Sequence, residues 1–130
     1  MSWYLDSSAI LKLILDEKER EALLGVLDSK SISSRISQLE VKHAVNRIAP
    51  GRIMEAQSEL VKMDFYPLSN AVLSIAENFP AGTTLRSLDA IHVATALLLD
   101  KSIEGIITYD KSMMKNAKAL GIKAISPGVK

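Results

Sequence analysis

Trp3-Tyr4-Leu5-Asp6-Ser7-Ser8-Ala9-Ile10-Leu11 joins a short apolar run, an acid, two hydroxyl residues and apolar positions at helical spacing. The run reads as a buried strand, and Ser7-Ser8 opens a helix to about Leu15, with Ile10, Leu11 and Ile14 on its inner side. The same order returns near the other end. Gly105 to Tyr109 is a β-branched strand, Asp110 follows it, and Lys111 to Leu120 is a helix stopped by Gly121. Between these two units the pattern predicts helices over Glu17–Leu27, Ser37–Ile48, Arg52–Met63, Asn70–Asn78 and Ser87–Leu99. Short strands fit Lys30–Ser34, Phe65–Leu68 (weakened by Pro67) and Ile122–Ile125. Short strands alternating with helices give an α/β class: a parallel sheet of about four or five strands covered by helices on both faces. In such sheets ligands sit beyond the carboxyl ends of the strands.

The chain has 130 residues and no cysteine, 16 Lys and Arg against 15 Asp and Glu, and 48% hydrophobic residues. Its length predicts one domain over 1–130. Without cysteine there is no disulfide scaffold, thiol chemistry or Cys-ligated zinc, a composition suited to a cytoplasm. The near-neutral balance speaks against a basic nucleic-acid tether or a polybasic membrane patch. At 5% aromatic residues, stacking on single-stranded bases cannot be the main mode of any nucleic-acid contact. The first residues lack the basic start of an export signal, and the greasiest stretch, Ala90–Leu99, is too short to cross a bilayer.

Four acids stand out. Asp6 and Asp110 each follow a strand, and if those strands are neighbours their carboxylates meet in one crevice. Each equally suits a helix N-cap. Glu40 completes a capping box in Ser37-Gln38-Leu39-Glu40, yet it also borders the apolar stripe of its helix, where a carboxylate needs a partner. Asp89 lies in the first turn of a helix apolar on nearly every side. There it serves the helix dipole, with Ser87 as cap and Arg86 as ion-pair partner, or it faces a protein-lined cavity, where an acid is costly unless paired, hydrogen-bonded or metal-bound. Four converging carboxylates would raise one another's pKa, and an oxygen-only donor set favours Mg²⁺ or Mn²⁺. His92, one turn after Asp89, reads first as a hydrogen-bonded helix-face histidine, and alternatively as a group that orients Asp89 or touches a phosphate. Arg86, Lys111 and Lys115 lie near the crevice in sequence and could hold phosphates; ordinary solvated charge is the other reading, preferred for Lys115.

Rival chemistries lack their residues. Neither nucleotide-binding glycine loop is present. Ser8 stands where a D-x-D phosphatase needs its second acid, and Ile10 breaks an adhesion-type metal motif. A receiver domain would need an acid pair beside Asp6 and a lysine near Ser126-Pro127.

Taken together, Tyr4-Leu5-Asp6-Ser7-Ser8-Ala9, Glu40, Arg86-Ser87-Leu88-Asp89-Ala90-Ile91-His92-Val93-Ala94-Thr95-Ala96 and Thr108-Tyr109-Asp110 resemble the PIN-domain nucleases. Within them, the chain resembles the VapC-type toxins of bacterial toxin–antitoxin pairs. The resemblance spans essentially the whole chain. It implies a three-layer PIN-like sandwich, with Asp6, Glu40, Asp89 and Asp110 as catalytic, metal-binding acids. It also implies one or two Mg²⁺ or Mn²⁺ ions and hydrolysis of RNA phosphodiesters, with transfer RNA or a ribosomal RNA loop as substrate. The accompanying hydroxyl falls on Ser7, with Thr108 in support and Arg86 and His92 nearby. Ser112 and Asn116 occupy the neighbourhood where some relatives carry a further acid, which leaves the second ion open. The resemblance further implies a homodimer, a VapB-type antitoxin and a cytoplasmic location. An apolar surface over 7–15 and 52–63 would be the physical basis of such contacts. A PIN-like module that binds RNA or protein with little turnover is the alternative reading.

Overall fold

The computed structural model describes residues 2–15, 17–27 and 30–129. Five parallel strands form one sheet: β1 (Ser2–Leu5), β2 (Ile32–Ser34), β3 (Asp64–Tyr66), β4 (Ile103–Ile107) and β5 (Ala124–Ile125), in the order β3-β2-β1-β4-β5. The helices are α1 (Ser7–Ile14), α2 (Arg20–Val26), α3 (Ile36–Ile48), α4 (Ile53–Leu60), α5 (Asn70–Glu77), α6 (Ser87–Leu99) and α7 (Lys111–Ala119). Short 3-10 turns at Pro50–Arg52 and Asp100–Ser102 precede α4 and β4.

Strand alternation divides the core. Leu5 and Ile107 point to one face, where they pack with Ile10 and Leu13 of α1, Leu23 of α2, Val41 and Val45 of α3, and Ala56 and Leu60 of α4. Tyr4 and Ile106 point to the other, against Val93 and Ala96 of α6 and Met113 and Ala117 of α7. Each fully buried Leu or Ile contributes about 1.5–3 kcal/mol of transfer free energy. Val72 of α5 then packs on Ile91 and Ala94, so α6 lies between the sheet and a further helix. That placement explains why Ala90 to Ala96 are buried without interruption, and why α6 lacks a polar face there.

Local chemistry sets the boundaries. Asp6 accepts a hydrogen bond from the Ala9 amide and starts α1; Ser69 and Asp110 do the same for α5 and α7. Pro67 follows β3, an edge strand, where its missing N–H costs no central ladder bond. A register shift between β1 and β4 accommodates Gly105, whose place a larger residue could not take. A Cβ there would lie 2.6 Å from the Lys123 carbonyl oxygen and 3.0 Å from the Trp3 ring.

Several expectations need correction. The second helix begins at Arg20, not Glu17, and β4 ends at Ile107 rather than Tyr109. Helix α3 begins at Ile36, so Ser37 lies inside its first turn. The Ser37 hydroxyl bonds Ser33 at 2.6 Å instead of capping, and the Ser37–Glu40 box does not form. The apolar surface expected from 7–15 is absent, because Ile10, Leu13 and Ile14 are core residues. Exposed apolar side chains instead include Met54, Val61, and Leu39 and Ile48 of α3.

Candidate active site

β1 is followed by α1 on one face of the sheet and its neighbour β4 by α7 on the other, so the connections that leave the paired ends of these two strands part to opposite faces. This is the switch point at which open α/β sheets bind ligands. Leu5 and Ile107 are paired across it, and Asp6 and Asp110 lie just beyond.

Asp6 is buried at 2% exposure. One carboxylate oxygen accepts hydrogen bonds from the Ala9 amide at 3.0 Å and the Ser8 hydroxyl at 2.6 Å; the other accepts from the Thr108 hydroxyl. Burial drives its pKa up, against the opposing pull of His92 and these donors. Thr108 also accepts the Asp110 amide at 3.1 Å, so one buried hydroxyl ties the two strand-end acids together. Asp110 itself is exposed and accepts from the Met113 amide at 2.9 Å. Both acids thus cap the helices that follow their strands.

The hydroxyl that holds Asp6 belongs to Ser8, which also accepts the Tyr109 amide at 3.0 Å. Ser7, half-buried at the first position of α1, makes no side-chain hydrogen bond among the described residues. The spacing Asp6-x-Ser8 was a usable signal, since a hydroxyl two residues on from an aspartate at a helix start can fold back onto it.

Glu40, on α3, is held by His92 Nε2 at 2.7 Å. His92 is fully buried, and its Nδ1 lies 2.7 Å from the Tyr4 hydroxyl, which accepts the Ser34 amide at 3.2 Å. A carboxylate only accepts, so Nε2 carries hydrogen. Both ring nitrogens and the Tyr4 hydroxyl then each have a partner. His92 thus orients Glu40 rather than Asp89. Burial pushes the Tyr4 hydroxyl's pKa far up, so it stays a neutral donor. Tyr4 escaped notice in the sequence as a polar group, although a tyrosine inside a strand buried on both faces must find a partner for its hydroxyl.

Asp89 is half-buried in the first turn of α6. Its pKa is raised, first by desolvation and then by Asp110, with His92 lowering it and Asp6 and Glu40 raising it further. All four acids therefore act on one field. Neither expected local partner is present: Ser87 is not the cap of α6, and Arg86, exposed at the cap position, makes no ion pair with Asp89. Among the described residues no Lys or Arg makes an ion pair with any of the four acids.

This donor set suits a hard divalent cation. It offers carboxylate oxygens from four segments, one of them deeply buried, with repulsion that no lysine or arginine ion pair among the described residues relieves. As they stand, no three His, Asp or Glu side chains among the described residues are gathered closely enough to hold an ion. Asp6, Glu40 and Asp110 act electrostatically on Asp89 without forming a finished cage among the described residues. Asn116, where a further acid was considered, is committed elsewhere: it donates to the Thr84 hydroxyl and the Ser112 carbonyl and accepts the Thr84 amide, pinning the loop before α6.

Residues 3–119 match the family model described as PIN domain. The chain is 33% identical over 131 residues to Ribonuclease VapC35 of Mycobacterium tuberculosis, covering 96% of each. It is 36% identical over 126 residues to Ribonuclease VapC46 of the same species, covering 95% of this chain and 96% of that one. Among solved structures, a toxin–antitoxin complex from Klebsiella pneumoniae superposes with a TM-score of 0.77 at 19% identity, over 97% of this chain and 98% of the other. Mycobacterium tuberculosis VapC20, titled a Sarcin-Ricin loop cleaving toxin, gives 0.74 at 15% identity, over 97% and 100%. At such identities these two superpositions speak for the fold.

Proposed function

The chain belongs to the PIN domain family, as a relative of the VapC ribonucleases, and from that premise we propose that it is an RNA-cleaving toxin acting through the cleft of Asp6, Glu40, Asp89 and Asp110. The observation that carries this reading is the buried Asp6 carboxylate at the paired ends of β1 and β4, tied through the Thr108 hydroxyl to Asp110, with Glu40 held by His92 and no Lys or Arg among the described residues paired to any of the four acids. Such a cleft repels a phosphodiester until a cation enters it. Asp6, Glu40, Asp89 and Asp110 would hold Mg²⁺ or Mn²⁺, one or two ions. When bound, the ion supplies an ionised water at neutral pH and positive charge beside the leaving oxygen.

The chain's own groups supply position. Asp6 is immobilised by three donors, and Thr108 sets the backbone of Asp110 against it. His92 fixes Glu40. Arg86 and Lys111, both exposed at helix starts beside Asp89 and Asp110, are the groups we assign to the substrate phosphate, with the Ser7 hydroxyl also available to it. Water adds to phosphorus, the bond to the 3′ oxygen breaks, and that oxygen takes the proton, leaving a 5′-phosphate and a 3′-hydroxyl. Residues 1–130 act as one PIN domain, in the cytoplasm, where structured RNA is the substrate. No helix among the described residues is long and apolar enough to cross a membrane. A VapB-type antitoxin would silence the cleft, and a second copy would cover the exposed apolar side chains of α3 and α4.

The test is cleavage of total cellular RNA by purified protein with and without Mn²⁺. Wild type should cut only with the ion, and Asp89→Asn should lose at least a hundredfold in rate, the scale of removing a group that organises transition-state charge. Equal cutting by both proteins would remove the site assignment. Tight RNA binding by wild type with no cleavage would leave a binding module instead.

A further inference from the structure

A groove of about 760 Å³ is bounded by α7 on one side and residues 124–129 on the other. Lys111, Lys115 and Lys118 line it, with Met114 and Tyr109. Steps of four and three residues bring these lysines within about 60° of one another around the helix, along about 10 Å of its axis. All three are exposed, no acidic side chain lines the groove, and none of the three makes an ion pair among the described residues. Lys12, Lys30 and Lys62, by contrast, are each matched to a carboxylate.

The groove adjoins the acidic cleft. Tyr109, in its wall, gives its amide to the serine that holds Asp6, and its hydroxyl donates to the Pro127 carbonyl at 2.8 Å, closing one end of the groove onto residues 124–129. Asp110 caps the helix that carries the lysines. A site that repels anions thus borders directly on a surface that attracts them.

We propose that this groove is the track for the phosphate backbone flanking the scissile bond, with Lys111, Lys115 and Lys118 each meeting one phosphate. The proposal rests on the ribonuclease reading above. A polyanion laid across four carboxylates needs compensating charge beside them, and the α7 stripe supplies it. Lysines are point charges without the planar fork that reads bases, so the track contributes affinity and register but no base preference. The reading of Lys115 as idle solvated charge is thereby replaced.

The test compares Lys111→Gln/Lys115→Gln/Lys118→Gln with a control of equal net charge, Lys30→Gln/Lys62→Gln/Lys101→Gln. Binding of a fluorescein-labelled single-stranded RNA is followed by anisotropy against KCl in EDTA, and cleavage of the same RNA is followed in Mn²⁺. The groove variant should lower the slope of log affinity on log salt by about 2, from about 0.7 per phosphate on a single strand. Its KM should rise while kcat is retained. The control should keep the wild-type slope and KM. Lys118→Gln alone should lower the slope by about 0.7, which keeps the test available if the triple variant folds poorly. A groove variant indistinguishable from the control, beside a wild type that cleaves, would overturn the track alone. A wild type that cleaves no RNA in Mn²⁺ would overturn the ribonuclease reading and the track with it.

Discussion

His92 has no exposed surface, yet it governs an acid in the cleft. Its role follows from hydrogen-bond capacity: Glu40 accepts, Tyr4 donates, and the imidazole between them has one orientation that serves both. Such outer partners commonly matter by 10–100-fold in metal affinity or activity. His92→Leu should therefore raise the Mn²⁺ concentration for half-maximal cleavage by about that factor, whereas His92→Gln, which keeps an amide donor, should lose less. Equal losses would mean that the ring only fills space. Tyr4→Phe should cost about 1–3 kcal/mol in urea unfolding, because it strands the Ser34 amide and Nδ1 in the core. Sequence made the four acids visible as acids. The pairing of Glu40 with His92, 52 positions away, was not visible, because a capping box explained the same four letters.

Among the elements, α6 and β4 do most to place the site. Helix α6 was legible in full, since an apolar run of that length with an acid in its first turn has few alternatives. Strand β4 was legible only in part. Its first residue, Ile103, pairs with Ser2 of β1, the register shifts before Ile106 pairs with Tyr4, and nothing local in Ile-Glu-Gly announces that shift. Gly105 is the residue that permits it, through its approach to the Lys123 carbonyl and the Trp3 ring. Gly105→Ala should destabilise by about 1–3 kcal/mol, the range for overpacking a filled core. Because β4 carries Thr108 and Asp110 at its end, Mn²⁺ dependence should weaken in the same variant. A variant as stable as wild type would mean that the strand shifts freely to admit a methyl group.

At the scale of the whole molecule, the cleft is a charge cost that the fold carries until a cation arrives. Burial and neighbouring acids raise the Asp89 pKa, so the folded protein holds that proton more tightly than the unfolded chain. The resulting stability is complete below the unfolded value of about 3.9 and is lost as pH rises through the raised value. Asp6 works in the same direction. In EDTA at pH 7, Asp89→Asn should therefore melt above wild type, and the gap should close as pH falls toward 4. Saturating Mn²⁺ should reverse the order, since ion at a hundredfold over its Kd adds about 2.7 kcal/mol to the protein that binds it. Failure to reverse would mean that Asp89 takes no part in holding metal. The overall charge of +1 belongs to the same picture: with the four cleft acids set aside, basic side chains exceed acidic ones by five. The sequence by itself determined the strand–acid–helix units, the parallel α/β class and the four carboxylates, because periodicity and capping act over a few neighbouring residues. Only the tertiary structure decided that β1 and β4 lie side by side, that Ser8 rather than Ser7 holds Asp6, that Tyr4 and His92 aim Glu40, and that three lysines of α7 share a groove with the carboxyl-terminal segment. Those are contacts between residues distant in the chain or choices among equivalent side chains, and the packing of the sheet and its helix layers selects among them.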